Sequence, residues 1–74
     1  MYFNKLLKVF EEMFDIEKED IELNSSLEDI GIDDIAVVDL ALALESDFDI
    51  DIPEQAYEKW STVSDIVDYV ENEA

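Results

Sequence analysis

Carboxylates are the side chains on which any chemistry of this chain would depend. The sequence contains 22 aspartate and glutamate residues, four lysines, no histidine and no cysteine. Paired carboxylates can act as general acid and general base, but neither histidine nor cysteine nor a glycine-rich phosphate loop accompanies them here. The lack of histidine and cysteine also excludes the usual zinc sites. The composition therefore predicts a protein that is not an enzyme and has no catalytic residues.

One group of acids has the spacing of a calcium-binding loop. Positions one, three, five and twelve of an EF-hand loop would be Asp47, Asp49, Asp51 and Glu58. Position six is Ile52 instead of the glycine that makes the sharp turn, and Pro53 follows it. We therefore predict no specific metal site. Weak binding of Mg²⁺ or Ca²⁺ to the clustered acids is the alternative, because it would relieve their mutual repulsion.

A second acidic segment surrounds Gly31, the only glycine of the chain. Glycine is favoured where a turn must stop in a left-handed conformation. Asp34 follows at the predicted start of a helix. There an aspartate can cap free N–H groups, and its charge favours the positive end of the helix dipole by about 0.3–1 kcal/mol. Asp34 is therefore interpreted either as the N-cap of this helix or as a residue with a further role.

Helices must position these acidic segments. Apolar spacing predicts a first helix over residues 2–14, a second over 34–48 and a last helix that opens with a Thr62–Asp65 cap. Pro53 predicts a short third helix over 53–59. The connector 15–33 carries enough apolar residues to be anchored on the core and ordered: Ile16, Ile21, Leu23, Leu27, Ile30 and Ile32. The fold class is all-α, a small four-helix bundle with a long ordered loop between helices 1 and 2, in a single domain spanning 1–74. Its predicted interior is lined by Phe3, Leu7, Phe10, Leu40, Leu44, Phe48, Ile66 and Val70.

The second helix carries two apolar stripes instead of one. The first stripe consists of Val37, Leu40, Ala41, Leu44 and Phe48. The second stripe consists of Ile35, Val38 and Leu42, and Asp34, Asp39 and Glu45 flank it. A surface helix in a small bundle needs only one buried stripe. The second stripe is therefore either additional core or an exposed strip, rimmed by acids, that docks a partner.

The formal charge of −18 restricts the partners of this chain. An acidic surface repels nucleic acid phosphates and anionic lipid headgroups, and it favours encounter with basic patches on proteins. No apolar run is long enough to span a membrane, and Met1 leads into an amphipathic helix without a basic leader. We therefore expect a monomeric, cytoplasmic protein that binds no nucleic acid and does not insert into membranes.

Three segments carry a resemblance to a known family. Residues 27–35 read Leu-Glu-Asp-Ile-Gly-Ile-Asp-Asp-Ile, and residues 38–53 and 59–70 continue the match. This pattern resembles the acyl carrier proteins, in which a serine after Gly-x-Asp opens the second helix and holds phosphopantetheine. Asp34 stands at that serine position, so no cofactor is expected on this chain. The resemblance also implies that partner enzymes contact Asp33, Ile35, Val38, Asp39, Leu42 and Glu45. Ala36 and Ser46 replace frequent acids of that surface.

Two functional hypotheses follow. In the first, the chain is an acyl carrier protein of fatty-acid or polyketide type biosynthesis that lacks the modifiable serine. The resemblance then implies partners among the synthesis enzymes or a phosphopantetheinyl transferase, each with a basic patch. In the second, the chain is an interaction module that uses the acidic second helix to bind a basic partner and never cycles acyl groups. Asp34 is either natural or introduced.

Tyr57 and Trp60 are interpreted as core aromatics, with a ligand gate as the alternative.

Overall fold

The first helix packs its apolar face inward, as its spacing predicts. A computed structural model describes residues 2–73, in which α1 spans Tyr2–Phe14. Leu6, Val9 and Phe10 are its buried side chains. The helix ends at Asp15, whose φ of +56° is left-handed. Aspartate tolerates this conformation better than most residues, so a helix can stop here without a glycine.

The connector between the first two long helices is ordered because the start of the last helix holds it. A short 3₁₀ helix, Lys18–Asp20, is followed by the buried residues Ile21, Leu27 and Ile32. Ser26 forms a β-bridge with Thr62, and the N–H of Leu27 donates to the carbonyl of Ser61 over 2.9 Å. The prediction of an ordered loop is confirmed. One of its expected anchors is wrong, because Leu23 is 48% exposed.

Gly31 ends the last turn of the connector, as predicted. Its φ is +88°, and the neighbouring N–H of Ile32 donates to the carbonyl of Leu27 over 2.8 Å. A turn over residues 27–31 therefore closes immediately before α2, which spans Asp34–Phe48 as expected. This helix ends at Asp49, which has a left-handed φ of +56°.

The third helix is shorter than predicted. α3 spans Glu54–Tyr57, and Pro53 precedes it in an extended conformation as its N-cap. The four-residue helix is followed by a turn at Glu58 and Lys59, so the predicted range 53–59 is too long at both ends.

The last helix, α4, spans Val63–Glu73 and begins with the predicted cap. The N–H of Asp65 donates to Thr62 Oγ1 over 3.3 Å, while Asp65 Oδ2 accepts from the N–H of Thr62 over 3.1 Å. This reciprocal pair is the capping box expected from the sequence, with aspartate in place of glutamate.

The helices share one apolar core. Five of the eight predicted interior residues are buried: Phe10, Leu40, Leu44, Ile66 and Val70. The other three, Phe3, Leu7 and Phe48, are half-buried and pack against the core from its edge. Phe48 pairs there with the ring of Tyr2, with 5.7 Å between ring centroids. Across residues 2–73 we find no helix long and apolar enough to cross a membrane.

Candidate functional site

The N-terminus of α2 is capped by Asp33. Asp33 Oδ1 accepts a hydrogen bond from the N–H of Ala36 over 2.8 Å, and the backbone of Asp33 is extended, with φ −93° and ψ −174°. Asp34 is the first residue of the helix and is exposed. The prediction that Asp34 is the N-cap is therefore wrong. A cap residue must have non-helical backbone angles, and of these two aspartates only Asp33 does.

A cleft of about 620 Å³ opens beside Asp34. Its lining is mixed, because acids from several elements surround apolar and aromatic side chains. Trp60 and Tyr57 are both half-buried in its wall, and the Trp60 ring meets Tyr69 edge-on with 5.9 Å between ring centroids. These two aromatics therefore pack against the edge of the core and also form part of the cleft wall. The other lining residues are Ser26, Leu27, Glu28, Ile32, Asp33, Asp34, Val37, Val38, Glu54, Glu58 and Ser61.

The second apolar stripe of α2 is exposed. Ile35 is 78% exposed, Leu42 is 60% exposed and Val38 is 38% exposed. The first stripe is buried through Val37, Leu40, Ala41 and Leu44. The helix therefore presents an apolar strip to solvent, and the alternative that this strip is additional core is wrong. We call Ile35, Val38 and Leu42 the exposed strip.

Acidic side chains flank the exposed strip unequally. Asp33, Asp34 and Asp39 are exposed, whereas Glu45 is half-buried. Glu45 Oε2 accepts a hydrogen bond from the N–H of Ile52 over 3.0 Å. Glu45 therefore holds the segment between α2 and α3 in place. This contact joins residues seven positions apart across a loop, so no local sequence pattern indicates it.

Tyr69 holds the same segment from α4. Its hydroxyl donates to the carbonyl of Asp51 over 2.8 Å. Burial raises the pKa of Tyr69, and the negative charges of Glu73, Asp51 and Glu45 raise it further. The hydroxyl consequently stays protonated at neutral pH and remains a donor. Glu45 and Tyr69 therefore both hold the segment between α2 and α3 in place.

Two serines, Ser26 and Ser61, line the cleft beside Asp34, but neither lies at the start of α2. Ser61 Oγ donates to Asp65 Oδ2 over 3.2 Å, and that carboxylate also accepts from the N–H groups of Ser61 and Thr62. The backbone N–H of Ser61 is the main cause that holds the pKa of Asp65 below its ordinary value of 3.8. Ser26 lies in the connector, where it pairs with Thr62. Neither serine opens a helix in the way that Asp34 does.

The acids do not form a metal cage in the part of the chain that the structure describes. No group of three or more histidine, cysteine, aspartate or glutamate side chains there is arranged to hold a metal ion. The EF-hand spacing of Asp47, Asp49, Asp51 and Glu58 thus does not produce a cluster. Asp49 instead ends α2, and Glu58 belongs to the turn after α3.

Comparison with known proteins assigns the family. The family model described as "Phosphopantetheine attachment site" matches residues 4–70. An acyl carrier protein of Clostridium acetobutylicum is 37% identical over 71 residues, which cover 95% of this chain and 92% of that protein. The crystal structure of an acyl carrier protein from Thermotoga maritima superposes with a TM-score of 0.87. It is 24% identical, with 96% of this chain and 84% of that chain covered. The chain therefore belongs to the acyl carrier protein family, whose members carry phosphopantetheine as a prosthetic group.

Proposed function

We propose that this chain is an acyl carrier protein of fatty-acid or polyketide type biosynthesis that docks on its partners without carrying an arm. The exposed strip next to Asp34 is the observation that carries the proposal, because an unpartnered apolar strip beside acids suits a partner surface. Residues 1–74 act as one such domain, which works in the cytoplasm as a monomer. The chain itself catalyses no reaction.

The start of α2 does not fit covalent attachment of phosphopantetheine. Attachment needs a hydroxyl oxygen that becomes part of a stable phosphodiester. Asp33 and Asp34 offer carboxylates instead, and attack by a carboxylate would give a labile acyl phosphate. A carboxylate is nevertheless stable at this place, because helix N-termini favour negative charge. In this proposal Asp34 removes the chemistry of the site while the fold is kept.

Docking combines charge and apolar contact. The net charge of −18 attracts basic patches and speeds encounter with them, although salt weakens this effect. The apolar contact then comes from Ile35, Val38 and Leu42, which leave water when a partner covers them. Asp39 is exposed and can pair with basic residues at the rim. Asp33 and Glu45 contribute less, because one oxygen of Asp33 already accepts from Ala36 and one oxygen of Glu45 from Ile52.

Modification of an Asp34→Ser variant by a broad-specificity phosphopantetheinyl transferase tests the docking surface. In that background, Ile35→Ser and Leu42→Ser should each slow modification several-fold, because they remove apolar contact with the transferase. Leu23→Ser is the matched control, since Leu23 is also exposed but lies in the connector. Urea unfolding of all four variants checks that the fold is retained. Equal slowing by Leu23→Ser would contradict docking through α2.

The second hypothesis is a non-carrier interaction module. The exposed carboxylate of Asp34 favours it, because it extends the acidic rim of the strip toward a basic partner. The two hypotheses differ in one result. A folded Asp34→Ser variant that gains no arm would favour the interaction module. Stoichiometric modification of that variant would favour the acyl carrier hypothesis.

A further inference from the structure

The basic residues of this acidic chain are concentrated in one place. Lys5 and Lys8 of α1 and Lys18 of the 3₁₀ helix line one cleft of about 470 Å³. The remaining lysine, Lys59, lies in the turn after α3 and is not part of this cleft. Asn4, Leu7 and Glu11 complete the lining. Three of the four lysines of the chain therefore line one cleft, which shares no lining residue with the cleft beside Asp34.

The charge of this lining is opposite to that of the chain. Three lysines and one glutamate give the lining a formal charge of +2, whereas the chain as a whole has −18. A lysine ammonium is a compact point charge with three donors, which suits phosphate oxygens. The side chain of Leu7 is half-buried and adds an apolar surface to the lining. Asn4 adds an amide that can donate.

We propose that this lysine cleft binds a phosphoryl dianion on a small molecule. The formal charge of +2 on the lining is opposite in sign and equal in size to the charge of a phosphate monoester above its second pKa of about 6. The cleft volume lies within the range of about 300–1,000 Å³ that small-molecule sites occupy. Leu7 would contact an apolar substituent on the phosphate. Lys5 Nζ lies 5.4 Å from the centroid of the Phe48 ring, which favours an ordered ammonium at this edge of the cleft.

The surrounding acids restrict the ligand to a small one. At physiological salt, charges beyond about 8 Å are largely screened, so a compact dianion responds mainly to the nearby lysines. A long polyanion such as a nucleic acid would also meet the acids outside the cleft and be repelled. The cleft therefore selects a single phosphoryl group.

NMR titration of the ¹⁵N-labelled full chain tests this proposal. The probes are butyl phosphate, inorganic phosphate and butanoate, each added at pH 7.5 and constant ionic strength. Butyl phosphate should give saturable shifts at the amides of residues 4–8 and 18. Tighter binding of butyl phosphate than of inorganic phosphate assigns the site to phosphate esters, and equal binding assigns it to free phosphate. Both results support a phosphoryl site.

Lysine variants provide the control. Lys5→Gln and Lys8→Gln should each weaken binding of butyl phosphate about two- to fivefold, as expected for partly exposed charge pairs. Lys59→Gln removes the same charge elsewhere and should leave the affinity unchanged. The proposal is overturned if butanoate binds as tightly as butyl phosphate, if no shift saturates, or if Lys59→Gln weakens binding as much as Lys5→Gln. All three lysines are exposed, so the variants should fold.

Discussion

Replacing Asp33 with alanine tests whether Asp33, and not the neighbouring Asp34, caps α2. Asp33 accepts the N–H of Ala36 over 2.8 Å from an extended backbone, whereas Asp34 is already inside the helix. The two adjacent aspartates should therefore differ in their contribution to stability. Asp33→Ala leaves an N–H of the first turn without its side-chain partner. Asp34→Ala and Asp34→Ser leave the cap intact.

The expected size of the loss follows from the cap. Removing an N-cap side chain costs about 1 kcal/mol. A domain of this size is held by only about 3–5 kcal/mol, so this is a substantial part of its stability. The melting temperature should fall by about 4–8 °C. Asp34→Ala loses only its interaction with the helix dipole, about 0.3–1 kcal/mol, and relief of repulsion among the 22 acids offsets part of that loss.

Urea unfolding at fixed ionic strength measures these differences, with helicity and Trp60 fluorescence as two independent signals. Asp33→Asn is the matched variant, because its amide oxygen still caps the helix while the charge is removed. We expect Asp33→Asn and Asp34→Ser to stay close to the parent chain and Asp33→Ala to be the least stable. A larger loss for Asp34→Ala than for Asp33→Ala would refute the assignment of the cap.

Three further predictions concern other parts of the fold. Asp65→Asn should be less stable than the parent at neutral pH. The pKa of Asp65 is lowered in the folded state, so the full difference in the free energy of unfolding should be present above pH 3.8. That difference should disappear as the pH falls through the folded pKa, and unfolding at a series of pH values would show it. Gly31→Ala should cost about 1–2 kcal/mol in urea unfolding through its backbone alone, since φ is +88° and an added Cβ meets nothing within 4 Å; Gly31→Asn should cost less. Millimolar Mg²⁺ should raise the melting temperature at low ionic strength and have little effect at high salt, and an unchanged midpoint at low salt would contradict relief of acidic repulsion.

Much of the fold could be predicted because its signals are local. Helices α1 and α2 follow from the spacing of their apolar residues, and Gly31 marks the turn before α2 because glycine adopts a positive φ without strain. The capping box of Thr62 and Asp65 is likewise visible within four residues. The exposure of Ile35 and Leu42 was one of two alternatives that the pattern left open, because a surface helix in a small bundle needs only one buried stripe.

The remaining features depend on contacts between distant parts of the chain. The β-bridge between Ser26 and Thr62 joins two loops, and no periodicity indicates it. Glu45 was predicted as a docking acid, yet its bond to Ile52 gives it a structural role as well. Asp33 is the cap, and not Asp34, because only Asp33 has extended backbone angles. Two adjacent aspartates in a sequence do not indicate which of them will have those angles.

Mass spectrometry after incubation with coenzyme A and a broad-specificity phosphopantetheinyl transferase tests the central claim most directly. The chain with Asp34 should keep its mass, because no hydroxyl opens α2. The Asp34→Ser variant should gain one phosphopantetheine, and peptide mapping should place it on the introduced serine. A stable adduct on the unchanged chain, whether on Asp34 or on Ser26 or Ser61 in the same cleft, would contradict the account.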